Sequence, residues 1–422
     1  MPYSSNRNSG DGSFGRLLVD AQAVDIGTPA DSAIVRITRK TADGRGSQLE
    51  EMMTDSSGRS AVVELSAPPL EYSMAPSEKP YSEYDVTVEM EGYEPELVEG
   101  VQILPDTTSY LDVKLKPKTD YDNGTQVIPI ETHTLWGEFP PKIPEEEVKA
   151  LPPSSDFVVL PEPVIPEYII VHAGKPSDSS APNYWVPYKD YIKNVASCEI
   201  YATWPEETIK ANVLAIVSFT LNRVYTEWYR GKGYNFTITS STSYDHAFTY
   251  GRNIYSEISR VVDDIFSTFI TKPNIRQPLL TQYCDGKKVT CPNWMTQWGS
   301  RDLGEQGYAA MDILKSFYGY EIFLMEAGKI AGVPSSYPGT ALQTGSTGQN
   351  VRVIQEQLNA ISKNYPAIPK VRVDGVFGES TRKAVETFQE IFHLPSDGIV
   401  GFSTWYKLSD IYVAVTKMAE LR

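Results

Sequence analysis

Hydrophobic positions along the chain fall into three regimes. From residue 14 to 116 they come as short runs rich in β-branched residues, at 17–19, 33–37, 61–65, 84–88 and 110–115. Several of these runs alternate, and turn formers such as Asp55, Ser56, Ser57 and Gly58 separate them. Period-two alternation between turn signals predicts a small antiparallel β-sandwich. From 159 to 331 the units lengthen. Tyr168 to His172 (Tyr-Ile-Ile-Val-His) reads as a buried strand, and 190–200, 207–229, 254–270 and 308–318 read as helices. Ile258, Val261, Val262, Ile265 and Phe266 form one helical stripe. Thr203-Trp204-Pro205-Glu206 has the form of a capping box, with proline tolerated in the first turn. These signals predict a central α+β domain. After a Gly/Ser/Pro-rich linker at 332–341, residues 342–422 predict a small helical module. It carries an internal echo: Asp374-Gly375-Val376-Phe377-Gly378 up to Thr381, then Asp397-Gly398-Ile399-Val400-Gly401 up to Thr404. Each is a glycine turn entering a helix.

Two stretches fit none of these regimes. Residues 1–13 are polar and are expected to be a flexible tail. Residues 117–158 are proline-rich and acidic. Between 129 and 163 lie eight of the 30 prolines, seven acidic residues and two basic ones. Proline fixes φ and disfavours helix before it, so this segment is expected to be an extended linker or a strap lying in a groove. Glu145, Glu146 and Glu147 then form either a solvated patch or part of a docked plug.

Composition narrows the function. A chain of 422 residues suggests about three domains. A formal net charge of −16 argues against phosphate-backbone binding, so no nucleic-acid partner is expected. No run of 18 apolar residues predicts a transmembrane segment. The first residues lack the basic-then-apolar layout of a secretory signal peptide. Three cysteines cannot build a disulfide framework. Four histidines, at 133, 172, 246 and 393, leave little for metal chemistry, and no metal or cofactor is expected. Cys284 and Cys291 bracket a short loop and are either bridged or free. Cys198 reads as a small buried helix residue rather than a thiol nucleophile, since no Cys-plus-His pattern accompanies it. Tyrosine is abundant, at 26, which suits sugar stacking and β-domain cores alike.

Specific motifs go further. The ordered set Leu342-Gln343, Gly345, Gly348, Val351, Ile354-Gln355, Leu358, Asp374-Gly375, Phe377, Phe388-Gln389, Asp397-Gly398 and Trp405 resembles the three-helix peptidoglycan-binding domain type 1. The resemblance implies a non-catalytic anchor on bacterial cell wall, with Asp374, Gly375, Phe377, Asp397, Gly398 and Trp405 as its anchor residues. In the N-terminal part, Thr54-Asp55-Ser56-Ser57-Gly58-Arg59 with Gly92-Tyr93 resembles transthyretin-like and carboxypeptidase-regulatory-like modules, which are usually accessory.

The central segment is similar to the SpoIID/LytB family. One block is Val195-Ala196-Ser197-Cys198-Glu199-Ile200-Tyr201, Trp204-Pro205-Glu206 and Ile209-Lys210-Ala211-Asn212. A second is Met295-Thr296-Gln297-Trp298-Gly299-Ser300 with Gly307-Tyr308, Ile313-Leu314-Lys315 and Tyr318. Tyr250-Gly251 fits between them. The resemblance implies a lytic transglycosylase with Glu199 as its acid, and Tyr201, Trp204, Lys210, His246, Tyr250, Gln297 and Trp298 as substrate contacts. Val217, Ser218 and Phe219 depart from the family's Arg and Tyr positions, and Ser243 to Ala247 lacks the cysteines of a zinc-binding variant.

The chemistry suits one acid. Protonating a glycosidic oxygen needs a general acid, and ordinary glycosidases add a second carboxylate. A lytic transglycosylase uses the muramic 6-hydroxyl as nucleophile, so one glutamate serves as acid and then base. Burial against apolar neighbours would raise its pKa. The stretches 159–163, 167–172 and 191–197 resemble the mature start of SleC-type spore cortex-lytic enzymes. That likeness implies an inactive precursor stored in the spore integument, cut between Val158 and Val159 by a subtilisin-like Csp protease to act on cortex peptidoglycan. An N-acetylmuramoyl-L-alanine amidase and a non-catalytic amidase enhancer are the competing classes.

Overall fold

In the computed structural model, which describes residues 12–24, 28–40, 46–119, 124–149 and 162–416, the N-terminal third forms two facing five-stranded sheets. Its strands are β1 (Ser13–Ala23), β2 (Thr28–Pro29), β3 (Ile34–Lys40), β4 (Gly46–Met53), β5 (Val63–Ala67), β6 (Ser82–Glu89), β7 (Glu96–Ile103), β8 (Thr108–Leu115) and β9 (Gln126–Pro129). One sheet runs β4-β3-β6-β7-β9. The other runs β2-β1-β8, with β5 also on β1 and a two-residue strand of the central unit completing it beyond β8. Alternate residues such as Val86, Val88, Leu111 and Val113 point into one buried apolar cluster. This is the pleat expressing the sequence alternation.

Three expectations change here. The sandwich is mixed rather than antiparallel: β1 pairs parallel with β8, and β7 with β9. Parallel pairing is possible because the chain enters β8 from the opposite sheet by way of β6 and β7, and passes through β8 between β7 and β9. Strand β9 comes from the stretch read as strap. The tail ends earlier than residue 13, because Ser13 already pairs with Ala67. Strand β7 escaped the alternation reading because Gly100, at φ 79°, interrupts it.

The central unit contains β10 (Val164–Ile165), β11 (Tyr168–His172), β12 (Asn183–Pro187), α1 (Tyr188–Glu199), α2 (Glu206–Tyr225), β13 (Ile238–Thr239), β14 (Ile254–Tyr255), α3 (Ser256–Ile265) and β15 (Thr268–Thr271). It continues through β16 (Tyr283–Cys284), β17 (Met295–Thr296), α4 (Gln297–Glu305), α5 (Ala310–Tyr318), β18 (Phe323–Glu326) and β19 (Lys329–Ile330). Helix α2 is buried on every side from 211 to 223, as a helix surrounded by others must be. Helices α1, α3, α4 and α5 and strand β15 pack round it. The helix expected over 254–270 is instead β14, α3 and β15, since Thr268-Phe269-Ile270-Thr271 pairs with β18. The capping box does not form. Pro205 is the N-cap of α2, without a side-chain cap bond, and the Thr203 hydroxyl instead meets Ser73 Oγ at 2.8 Å.

Sandwich and central unit are fused. Strand β14 pairs with β8 (Ile254 with Tyr110, Tyr255 with Ser109). The Asn253 side chain donates to the Gln102 carbonyl at 2.8 Å and accepts from its N–H at 3.2 Å. Trp204 Nε1 donates to the Ser73 carbonyl. Tyr81, Leu104 and Leu135 belong to the same buried cluster as α1 and α2.

The last helices are α6 (Gln349–Ile361), α7 (Glu379–Ile391) and α8 (Phe402–Thr416). Gln355 and Gln389 play the same part in each repeat. Gln355 Oε1 accepts from the N–H of Asp374 and Gly375, and its Nε2 reaches Thr381. Gln389 Oε1 accepts from Gly398 N–H and its Nε2 reaches Thr404. Gly375 and Gly398 sit at φ 75° and 69°, the conformation such turns demand. This module touches both other units. His393 pairs with Asp20 of β1 at 2.6 Å and stacks on Tyr110 of β8, while Lys189 of α1 pairs with Asp410. No helix among the described residues is long and apolar enough to cross a membrane.

Candidate functional site

Glu199 closes α1, and its side chain is only 4% exposed. Oε1 accepts from the Ala247 N–H at 2.9 Å and Oε2 from Gln297 Nε2 at 3.0 Å. Gln297 Nε2 also donates to the Glu199 carbonyl at 2.8 Å, which locks the end of α1 to the start of α4. The Thr134 hydroxyl lies 3.2 Å from Oε2 and 2.9 Å from the Cys198 carbonyl, so one proton is shared between them. The expected apolar surround is therefore replaced by donors.

Glu199 borders a cavity of about 60 Å³ lined by Thr134, Gly137, Phe139, Pro140, Lys142, Thr242, Tyr283, Cys284, Asp285, Lys288, Val289 and Gln297. Five of these belong to the stretch 124–149. That stretch is laced across the central unit. Ile143 N–H donates to the Ser243 carbonyl, Gln282 brackets Glu145 and Ile143, and Gln277 brackets Lys149. Its Lys142 ammonium is buried, donates to the carbonyls of Thr242 and Asp245, and lies over the Phe219 and Tyr283 rings. Burial holds the Lys142 pKa below its ordinary range, against the attraction of Glu199 and Asp245. Glu145 makes a two-pronged pair with the buried Arg223, which also binds Asp245 at 2.7 Å. Burial alone would raise the Glu145 carboxyl, but the hydrogen bonds from Arg223 and Lys149 hold it below the usual range. The cavity is smaller than the several hundred Å³ of an ordinary small-molecule site, and the docked strap supplies five of its lining residues.

Of the residues predicted for substrate contact, only Gln297 joins Glu199 here. Tyr201, Trp204 and Trp298 are core, packed edge to face and buried to 3% or less. The aromatic-rich motif fills the space between α1, α2 and α4. Lys210 is a surface residue of α2 paired with Glu206 and Glu207. His246 lies wholly buried, bonded to Tyr191, and burial pushes its imidazole well below the ordinary value. Its Nε2 has no partner among the described residues. Tyr250 stacks on Tyr184 and lines a different cavity of about 350 Å³ where all three units meet. Cys284 and Cys291 are bridged, and Cys198 is buried with its thiol pushed up by burial. Val158 and Val159 lie outside the described residues.

Sequence reasoning missed Thr134, Ala247, Tyr283 and Lys288. Ala247 acts through its backbone, which no side-chain pattern reveals. The Cys284–Cys291 spacing was the available signal for Lys288. In the C-terminal module, Asp374 and Asp397 accept the N–H of Val376 and Ile399, while Phe377 and Trp405 are buried to 1%. These five-residue turns hold the helices together: of the predicted anchor residues Gly375, Phe377, Gly398 and Trp405 are buried, Asp374 is half-buried and Asp397 is exposed.

Residues 347–408 match the family described as a putative peptidoglycan binding domain. A zinc D-Ala-D-Ala carboxypeptidase of Streptomyces albus G is 36% identical over 74 residues, 17% of this chain and 27% of that protein. A spore cortex-lytic enzyme of Bacillus cereus is 36% identical over 69 residues, 16% of this chain and 25% of that protein. The chain thus spans about a quarter of the length of the curated relatives it matches. Among solved structures, the SleB N-terminal domain is 34% identical, with 18% of this chain and 99% of that one covered and a TM-score of 0.16. Transthyretin from Sparus aurata is 19% identical over 24% of this chain and 91% of its own, with a TM-score of 0.16. At these TM-scores the fold assignment rests on the strand registers and helices described above.

Proposed function

We propose that the chain is the inactive precursor of a spore cortex peptidoglycan hydrolase, a lytic transglycosylase with Glu199 as its acid and base. The carrying observation is the position of Glu199. Of the two carboxylates lining the cavity between the strap and the disulfide loop, Asp285 is spent on the Lys288 and Val289 N–H groups of its own loop, while Glu199 is buried and fixed by Ala247 and Gln297. In the reaction the Glu199 proton passes to the bridging oxygen as the bond from muramic C1 to that oxygen breaks. The muramic 6-hydroxyl oxygen bonds to C1, and its proton returns to Glu199. One 1,6-anhydro end forms per cut, and no water is consumed. The match at 347–408 supports peptidoglycan as the ligand of the C-terminal module. The strap supports latency, because it fills the space a glycan would need. Cleavage between Val158 and Val159 by a Csp-type subtilisin-like protease, and storage in the spore integument, complete this reading.

The test is digestion of isolated cortex by the chain cut between strap and central unit, followed by mass spectrometry. Anhydro-muramic ends are expected, and Glu199→Gln lowers the rate by about 10²–10⁴-fold, the usual worth of a general acid. Free stem peptides in place of anhydro ends would assign an amidase instead. Equal lysis by cut and uncut protein would remove the case for a precursor.

A further inference from the structure

Lys288 sits on the loop closed by the Cys284–Cys291 bridge, and that loop is rigid by construction. Asp285 Oδ2 accepts from the Lys288 N–H at 2.8 Å and Oδ1 from the Val289 N–H at 2.9 Å. Gly286 stands at φ 77°, where an added Cβ would lie 2.4 Å from Thr296 Cβ. The backbone of Lys288 is thus held by its own loop. Among the described residues its ammonium is held by the strap alone. It donates to the Trp136 carbonyl and, at 2.9 Å, to the Gly137 carbonyl, lies 3.4 Å from Glu138, and faces the Trp136 ring. Trp136 and Gly137 present those carbonyls because both N–H groups turn back to the His133 carbonyl. When the strap leaves, the ammonium keeps none of these partners, yet it still borders the cavity of Glu199.

We propose that Lys288 is a substrate-binding residue that takes the N-acyl carbonyl oxygens of the glycan, and that the Trp136–Gly137 turn occupies its place in the precursor. This rests on the reading of Glu199 as a glycan-cleaving acid. The chemistry follows from what the strap places in hydrogen-bond reach of the ammonium: two neutral amide carbonyls, with the solvent-exposed Glu138 carboxylate farther off at 3.4 Å. An N-acylated amino sugar carries the same group. A de-N-acylated sugar carries an ammonium instead, which Lys288 repels.

The test uses the full chain with a specific protease sequence placed within 150–161, cut after folding and freed of its N-terminal piece by gel filtration at high dilution, so that no fragment must fold alone. Binding is read in the Glu199→Gln background, where no turnover intervenes. The probes are tetra-N-acetylchitotetraose and its de-N-acetylated counterpart, titrated by tryptophan fluorescence. The acylated probe is expected to bind more tightly, and Lys288→Met to weaken it about 10- to 100-fold, the worth of hydrogen bonds from a charged donor. Lys288→Arg retains most of the affinity. With Glu199 present, Lys288→Met raises KM and leaves kcat within about threefold, because the lost contact is made equally in ground and transition states. Lack of acyl preference in the parent protein, or an unchanged preference in Lys288→Met, overturns the assignment. Normal lysis accompanied by either result leaves Glu199 as the acid and removes only Lys288. Absent lysis with a Lys288-dependent acyl preference does the reverse.

Discussion

Glu96 illustrates how much a single buried carboxyl can set. It is 4% exposed at the start of β7, and burial pushes it up to about 7, opposed by Lys116 and Lys114. The folded protein therefore keeps this proton at pH values where the unfolded chain has lost it. Stability from this group is full below about pH 4.5 and falls as pH rises through about 7, a loss of about 3 kcal/mol at 1.36 kcal/mol per pH unit. Glu96→Gln is expected to flatten that decline, seen as a smaller drop in the unfolding temperature of the sandwich between pH 5 and pH 8. Gln297→Ala acts at the same scale. It removes two hydrogen bonds that hold Glu199 and the end of α1. It should cost activity in the cut protein more through kcat than through KM, which steady-state kinetics on soluble glycan would show.

At the scale of elements, the most deeply buried ion pair holding the strap joins Glu145 to Arg223. The Arg223 guanidinium is fully buried between Asp245 and Glu145. Glu145→Gln leaves that cation half compensated, at a cost of about 3 kcal/mol to docking. The Glu145 carboxyl is held low, so its contribution is present above about pH 4.5 and fades as pH falls below it. Faster amide exchange over 143–149 in Glu145→Gln at pH 7, and in the parent protein below pH 4, is the expected result; equal protection in the two proteins at pH 7 would contradict it. The elements differed in legibility for physical reasons. Strands β6 and β8 were plain because one face is apolar and the other polar. Helix α2 starts within one residue of the expected 207 and ends at Tyr225 rather than 229; its capping box was illegible, since Thr203 spends its hydroxyl on Ser73, 130 residues away in sequence. Residues 254–270 read as helix because Ile258, Val261 and Val262 are spaced for one. The partner that turns 268–271 into a strand is β18, which no local window contains. The motif singled out Glu199, which the fold sets on a cavity beside Gln297, while Tyr201, Trp204 and Trp298 pack in the core; the same Tyr and Trp pattern serves a stacking platform and a core equally well.

On the scale of the whole molecule, the C-terminal module fully buries Val351, Ile354, Leu358, Val385, Phe388 and Leu408, in a cluster continuous with that of the central unit through Phe266, Phe402 and Tyr406. Residues 342–422 alone are expected to sediment with insoluble sacculi, and recovery of that fragment in the supernatant would contradict the peptidoglycan reading of its match. The order of the three units followed from composition, but their fusion did not, because Tyr110, Asn253 and Gln102 meet only after folding. That fusion gives a cut within 150–161 an unusual status. The N-terminal piece would still be fastened by the β8–β14 strand pair, the Asn253–Gln102 bonds and the Tyr81–Leu104–Leu135 packing. Proteolysis would then convert one chain into a two-component complex, and a tether's fixed local concentration into a dissociation constant. Release becomes a matter of mass action: slow where protein is confined and concentrated, complete where water enters and volume expands. Gel filtration of the cut protein over a dilution series should show one peak giving way to two.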